Sequence, residues 1–506
     1  MFNFRRNKSR IENTGLRGLS NPQSSLFNPV SSSAVLHLSE MIKCETVFGK
    51  EEEFIKFREL IREYYPHISR VCKRELIGGG IVYKWHGKKP DVLNPDMFRH
   101  EKYFKNKNFS DSSGLGDESI KSIILMAHYD VVPADSGNWL YPPFSGTTSG
   151  GRIRGRGAID TKSTLCAILE SVEILLKQGF EPPCDIYLCF GADEETSGES
   201  AEKIAAVLQE RGVKPFLVLD EGGAVVDGSI AGIRKPCALV GIAEKGYMEA
   251  EFISRGGGGH TSIPTEDNPA LVIAEVVRRL SNNPFERRIC EPVEAMMKAA
   301  VKHTSFRYSL LLKLSPILGV FFGRIMSRAL PEINALSRTI GAVTMINGGT
   351  AANVIPEEMR AVGNFRILSG ESVAETVSAI KKALKGLDIE INILKSAEPS
   401  SVSRVGGRGF DILSSAIEKT WGKSEVGSRG ESFGCAVIPY LMLAGSDSRS
   451  YSIISDSIYR FTPMKMTETD REMIHGINES ISYEDFYGMI EFYLNLIRGV
   501  DYVDFL

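Results

Sequence analysis

The sequence predicts an α/β protein in which a mainly parallel mixed sheet lies between helices, with a second, α+β unit of four strands inserted into it. Three observations carry this. Near-continuous apolar runs at 123–127, 185–192 and 215–219 are interleaved with amphipathic helical stretches, the pattern of strands buried on both faces. Residues 246–256 instead alternate apolar with polar, the pattern of a strand with one face covered. At 506 residues the chain is longer than a single core usually supports.

Taken in order, residues 1–33 carry basic side chains but no apolar stretch of leader length, and are expected to form an N-terminal arm. From Ala34, His37, Met41 and Ile42 recur at helical spacing, and 51–65 continues the pattern. A β-rich passage follows at 74–88, then a polar insertion at 102–119 expected as a surface loop. The strand Ile123–Ala127 ends at His128. Residues 136–179 hold a loop, two short strands or turns and a long amphipathic helix; the strands at 185–192 and 215–223 run into Glu194–Glu195 and Asp220–Glu221. The middle of the chain reads β-α-β-β-α-β: 246–256, helix 268–282, strands 339–348 and 358–368, helix 372–386 and strand 388–397, a ferredoxin-like order. Residues 34–245 and 398–506 are therefore expected as two parts of one domain, with 246–397 as an inserted lid. The apolar segment 308–330 is interrupted by Lys313, Pro316 and Arg324, so no transmembrane span is expected and packing on the lid is favoured.

Composition narrows the partners. A net charge of −3, from 60 basic and 63 acidic residues, gives nucleic acid no electrostatic foothold. None of the 8 cysteines forms a C-x-x-C pair, and several, such as Cys166 and Cys189, sit inside apolar runs. That usage suits reduced thiols in a cytoplasmic protein.

Chemistry is suggested first at His128, placed where open α/β sheets bind ligands. Asp130, two residues on, is close enough to bond one ring nitrogen and leave the other for a metal. Alone, His-x-Asp is more often a surface turn. Asp160 precedes a helix that it could simply cap. Glu194 and Glu195 are adjacent carboxylates that repel unless a cation or proton intervenes, although a helix start also favours acids. Asp220 ends another apolar run, and His475 is one of only 8 histidines. Together His128, Asp160, Glu195, Asp220 and His475 mix imidazole with carboxylate, which suits zinc, cobalt or manganese rather than calcium. Five ligands exceed what one catalytic zinc takes, so two ions sharing a carboxylate fit better.

The ordered series A-H-Y-D-V-V-P (127–133), G-R-G-A-I-D-T-K (155–162), D-E-E-T-S-G (193–198), L-D-E-G-G (219–223), G-G-G-G-H-T-S-I-P (256–264), N-V-I-P (353–356), F-R-I-L-S-G (365–370) and I-H-G-I-N-E (474–479) resembles the dinuclear-zinc exopeptidases and amidohydrolases. That family includes carboxypeptidase S, aminoacylase and a desuccinylase, and the resemblance is strongest to the carboxypeptidase S branch, which also holds N-acyl amino acid hydrolases. It implies a zinc-exopeptidase-like catalytic domain with a lid through which relatives often form homodimers. It further implies that His128 and Asp220 hold one zinc, Glu195 and His475 the other, and Asp160 bridges them. Glu194 becomes the general base, Asp130 orients His128, and His260 faces a developing oxyanion. Asn353, Arg366 and Arg449 are implied substrate contacts, the arginines for a carboxylate. Ser450 departs from this branch, which usually has histidine there, and so bears on substrate preference.

The expected activity is metal-dependent hydrolysis of an amide or peptide bond next to a free carboxylate, in dipeptides and short peptides, with N-acyl (fatty acyl) amino acids as the alternative substrate. A non-catalytic metal-binding relative would need to lack a ligand or the base, and none is missing. Nucleotide binding would need a G-x-G-x-x-G or phosphate-loop pattern that neither glycine-rich stretch supplies.

Overall fold

The computed structural model describes residues 30–88, 121–228, 233, 235–264, 267–304, 331–422 and 434–500. The expected loop at 102–119, the apolar segment 308–330 and nearly all of the N-terminal arm lie outside them.

The described chain begins with α1 (Val30–Lys43), α2 (Glu51–Tyr64) and α3 (Pro66–Val71). In α2, Phe54, Phe57 and Ile61 recur at helical spacing and are buried, while Glu51, Glu52 and Glu53 occupy the first turn, where the helix dipole favours negative charge. Strands β1 (Lys73–Ile77) and β2 (Gly80–Trp85) form an antiparallel hairpin. Then come β3 (Lys121–His128), the short β4 (Thr147–Ser149) and β5 (Arg152–Arg154), and α4 (Lys162–Lys177). They are followed by β6 (Asp185–Gly191), α5 (Glu199–Glu210), β7 (Lys214–Val226) and β8 (Cys237–Glu244).

A second sheet follows. Its strands are β9 (Gly246–Arg255), β11 (Ile340–Gly348), β13 (Glu358–Ile367) and β14 (Glu390–Ala397), with a separate two-residue ladder between β10 (Gly259–His260) and β12 (Val354–Ile355). The order β11-β13-β9-β14, antiparallel throughout, is the ferredoxin-like arrangement. Along β9, Met248, Ala250 and Phe252 are fully buried while Tyr247, Glu249 and Glu251 keep some exposure. Helix α6 (Pro269–Ser281) lies among the helices of this stretch, and α7 (Glu291–Val301) with α8 (Pro331–Ser337) sits in the long connection before β11. Ala300 of α7 packs with Ala436 and Ile438, so this connection returns to the larger sheet, which the sequence pattern did not indicate. Helix α9 (Val373–Ala383) joins β13 to β14 and is closed by a Ser372–Glu375 capping box.

The chain then adds α10 (Arg408–Trp421), β15 (Ala436–Met442), a 3-10 segment (Asp447–Ile453), β16 (Ile458–Lys465), α11 (Glu468–Met473), β17 (Ser480–Ser482) and α12 (Tyr483–Gly499). The eight-stranded sheet has the order β1-β2-β6-β3-β7-β16-β8-β15. Its centre, β6-β3-β7-β16, is parallel, and β16 is inserted between β7 and β8. One face is covered by α1, α4, α10 and α12; the other by α5 and the 3-10 segment. Strand parity shows why the runs are continuously apolar: Ile123, Leu125 and Ala127 enter the first core, Ile124 and Met126 the second. Each such Ile, Leu or Met side chain contributes about 1.5–3 kcal/mol by leaving water.

None of the eight cysteines, all described and buried, forms a disulfide. Among the described residues no helix is long and apolar enough to cross a membrane.

Candidate metal centre

In the pairing of β3 with β6, His128 stands level with Gly191, so the carboxyl ends of both strands open at one edge of the sheet. His128 is buried there, with Nδ1 3.0 Å from the Asp130 carbonyl oxygen and 3.3 Å from Asp130 Oδ1. Asp130 also accepts hydrogen bonds from the backbone N–H groups of Glu194 and Glu195, at 3.1 and 3.0 Å. One carboxylate thus fixes the turn after β6 relative to the histidine at the end of β3.

The other imidazole nitrogen, Nε2, lies 3.0 Å from Asp160 Oδ1 and 3.3 Å from Glu221 Oε1. The second oxygen of Asp160 is 3.2 Å from His475 Nε2, which in turn is 3.0 Å from Glu195 Oε2. Asp160 therefore joins two histidines 347 positions apart in the chain (475 − 128). His475 sits in a tight turn with φ of 58°, half exposed, facing the buried half of the cluster. Two sets of donor atoms lie within 4.8 Å of one another: His128 with Glu194 and Glu221, and His128 with Asp160 and Glu195.

The electrostatics suit a cation. Burial pushes the Glu221 carboxyl up to about 7, and the nearby Asp160 and Asp220 add to the effect. Burial also raises Glu194 well above the carboxylate range, with Glu221, Asp447 and Asp160 contributing in the same direction. Hydrogen bonds to Asp160 and Glu195 bring His475 up to about 10. Burial opposes ionisation of Asp160, yet its bonds to His128 and His475 hold it below the usual range. Four carboxylates converge on two imidazoles, and nitrogen with oxygen donors at this spacing fits zinc or a neighbouring first-row metal.

Among the described residues, the groups that could hold an ion include Glu221 and not the expected Asp220. The strand does not end at Gly223 but continues to Val226, so successive side chains leave opposite faces. Glu221 meets His128; Asp220, buried, accepts a 2.9 Å hydrogen bond from the Ser448 backbone N–H in the 3-10 segment. Parity along L-D-E-G-G was the one signal that separates the two acids.

The expected substrate contacts are distributed differently. Arg449 spends its fork on Glu244, with Nε and Nη2 each 3.1 Å from Oε2, and Nη2 also donates to the Lys245 carbonyl. Glu244 is itself fully buried and takes a second guanidinium, Arg460, at 2.6 Å. Arg366 lies 4.9 Å over the Tyr247 ring; burial, helped by the Arg449 charge, holds it below the ordinary guanidinium value. His260 and Asn353 are brought together by the β10–β12 ladder, where Thr261 N–H donates to the Asn353 carbonyl. Both are exposed, and the His260 ring bonds Ser262 of its own loop at 2.8 Å. A different residue of the inserted unit touches the rim: Lys395 Nζ is 3.4 Å from the Thr196 carbonyl.

Sequence reasoning also assigned no role to Asp447, whose buried Oδ2 has no hydrogen-bond partner and would meet a Cβ at Gly191 at 2.2 Å. A Cβ at Gly191 would force the Asp447 carboxylate to move.

Residues 124–499 match the family model described as peptidase family M20/M25/M40. An N-fatty-acyl-amino acid synthase/hydrolase PM20D1 of Xenopus tropicalis is 35% identical over 92% of this chain and 85% of its own length. A probable carboxypeptidase S-like 2 of Dictyostelium discoideum is 32% identical over 89% and 80%. Among solved structures, an M20 family metallo-carboxypeptidase of Sulfolobus solfataricus aligns with a TM-score of 0.63 at 17% identity, covering 92% of this chain and 99% of that one. With a match that spans both halves of the large sheet and the unit between them, the chain belongs to peptidase family M20/M25/M40 and is a metal-dependent hydrolase.

Proposed function

We propose that this protein hydrolyses the amide bond on the amino side of an amino acid that carries a free carboxylate. The observation that carries the reading is a carboxylate-rich, two-histidine cluster together with two guanidiniums, Arg366 and Arg449, close enough that the Arg449 charge disfavours that of Arg366. A pair of cations so placed favours an anion between them.

Two zinc ions are the reading for the cluster, with His128, Asp160 and Glu221 around one and His475, Asp160 and Glu195 around the other. Bound there, divalent ions would supply Lewis acidity and a water acidic enough to deprotonate near neutral pH. Glu194, whose buried carboxyl favours holding a proton, takes the proton of the attacking water and returns it to the leaving amine. Asp130 fixes the His128 ring through Nδ1 and the Glu194 backbone through Oδ1. The unit 246–397 acts as a lid that carries His260 towards the developing oxyanion and Asn353 towards the substrate amide when it closes. Arg366 holds the carboxylate; Arg449 contributes charge while its fork remains on Glu244.

Dipeptides and other short peptides with a free C-terminus are the first substrate class, in keeping with the carboxypeptidase relatives. N-fatty-acyl amino acids are the second, favoured by the relative that matches 92% of this chain. A hydrolysis screen of both classes with zinc-, cobalt- and manganese-replete protein tests the reading. Release of the free amino acid is expected from at least one class, and cleavage of neither by protein holding two ions would overturn it.

A further inference from the structure

The loop that presents Asp160 has no helix or strand to satisfy its buried N–H groups, and each of those donors needs a partner. The backbone N–H groups of Arg156 and Ala158 donate to the backbone carbonyls of Pro143 and Gly155, and a single residue supplies most of the rest. Glu479, fully buried, accepts from Ile159 N–H at 2.7 Å and Asp160 N–H at 3.1 Å on Oε1. On Oε2 it accepts from Gly157 N–H at 3.1 Å and Arg156 Nη1 at 2.7 Å. Its own carbonyl takes the Gly155 N–H at 2.8 Å. Arg156 then uses Nη2 to reach the Gly476 carbonyl at 2.9 Å, next to His475. Directly after Glu479, Ser480 of β17 pairs with Arg154 of β5. The Asp160 loop and the His475 turn are thereby stitched together through one carboxylate and one guanidinium.

We propose that Glu479, with Arg156, is a positioning residue that sets the separation of Asp160 and His475 and so the ability of the centre to hold its full complement of ions. The proposal rests on reading Asp160 and His475 as ligands of that centre. The argument is geometric. The backbone N–H of Asp160 is held directly, so its side chain starts from a fixed point, and its two oxygens lie 3.0 Å from His128 and 3.2 Å from His475. Loosening the loop would let Asp160 follow one histidine and desert the other.

The protein contains an internal control. Glu173 is also buried and also serves backbone donors, those of His67 and Ile68, together with the His67 ring, but it belongs to the α3–α4 packing away from the cluster. In the full-length protein, Glu479→Gln places an amide NH2 against N–H donors whichever way it turns, because both oxygens accept two bonds. Zinc and cobalt binding would be measured by chelator competition and by metal content after dialysis, alongside the visible absorption of the cobalt form and the melting temperature of the metal-free protein.

The expected result for Glu479→Gln is weaker binding of at least one ion by about 10- to 100-fold with an altered cobalt spectrum. Glu173→Gln is expected to lower the melting temperature while leaving affinity and spectrum at wild-type values. If Glu479→Gln does not fold, Arg156→Lys takes its place: it keeps the charge but loses the fork that spans Glu479 and Gly476, and several-fold weaker binding is expected. Wild-type affinity and spectrum in the variant that folds, or an equal loss of affinity in Glu173→Gln, overturns the proposal. Wild-type protein that binds neither ion removes the centre and the proposal together. No substrate enters these measurements, so an error in the substrate class would show in the hydrolysis screen and leave this result standing.

Discussion

The acidic cluster on the large sheet and the polar residues His260 and Asn353 of the inserted unit, proposed to share one substrate, are held in opposite ways. His128, Asp160 and Glu195 are each engaged by at least two other groups of the cluster or its supports, and their carboxylates and rings lie largely out of water. His260 and Asn353 are exposed, and the His260 ring bonds within its own loop. In the proposed reading, folding alone builds the first half of the site, whereas the second half would depend on closure of the lid. The division follows from the sheets: the parallel centre is packed on both faces and ends in one shared edge, while the antiparallel sheet leaves its loops in solvent.

The sharpest test of this contrast separates chemistry from metal holding within the rigid half. Glu194→Gln is expected to lower kcat by about 10²–10⁴ while metal content stays at the wild-type level, measured by steady-state kinetics beside metal analysis. Unchanged turnover would remove Glu194 from the proton transfer. Next comes the exposed half. His260→Ala is expected to cost about 10²–10³ in kcat with metal affinity untouched. A fall in metal affinity would break the comparison, because it would make the lid part of the metal-holding half.

A smaller effect distinguishes the two neighbours on β7. Glu221→Gln is expected to weaken metal binding by at least about tenfold, whereas Asp220→Asn keeps the metal and loses melting temperature through its bond to Ser448. The reverse pattern would restore Asp220 as the ligand. The smallest effect per group concerns pH. Burial raises the thiols of Cys72, Cys189 and Cys435 to about 12 and Cys237 to about 11, from an ordinary value of 9.0. These thiols stay neutral in the fold but ionise once unfolded, so their stabilisation is complete below pH 9 and is lost as pH rises towards 12. Each thiol loses about 1.4 kcal/mol per pH unit in that window. All four belong to the large sheet or the segments packed on it, so unfolding followed between pH 9 and 11 is expected to take the core first. Cooperative survival of the core with earlier loss of the inserted sheet would contradict this.

Much of this was legible in the chain because period and order carry it. Continuous apolar runs identify β3 and β6, and alternation identifies β9. The β-α-β-β-α-β order is present in the sequence and in the second sheet alike. What escaped has specific causes. Choosing between Asp220 and Glu221 needs the strand's true length and the direction of each side chain, and the polar, glycine-containing end of β7 hid its continuation to Val226. The loss of the Arg449 fork to Glu244 is a contact across about 200 residues that no local pattern announces. The return of α7 onto β15 was invisible for the same reason. Glu479 stood in full view within I-H-G-I-N-E, but a carboxylate that serves backbone donors looks like any other acid until the loop it serves is known.

The place of β16 between β7 and β8 carries a consequence for how the protein comes into being. On the ribosome, His128, Asp160, Glu194, Glu195 and Glu221 all emerge before the inserted unit, on strands whose central neighbour is still more than 230 residues away (458 − 226). His475 and Glu479 follow only after that strand has been made. Until then a nascent chain carries a crowd of acids on a sheet with a gap, and such partly assembled sheets are the species most prone to wrong pairing. If the proposed centre holds, a chain that stops ahead of residue 475 lacks one of its two imidazoles, and the donor set is completed only late in synthesis.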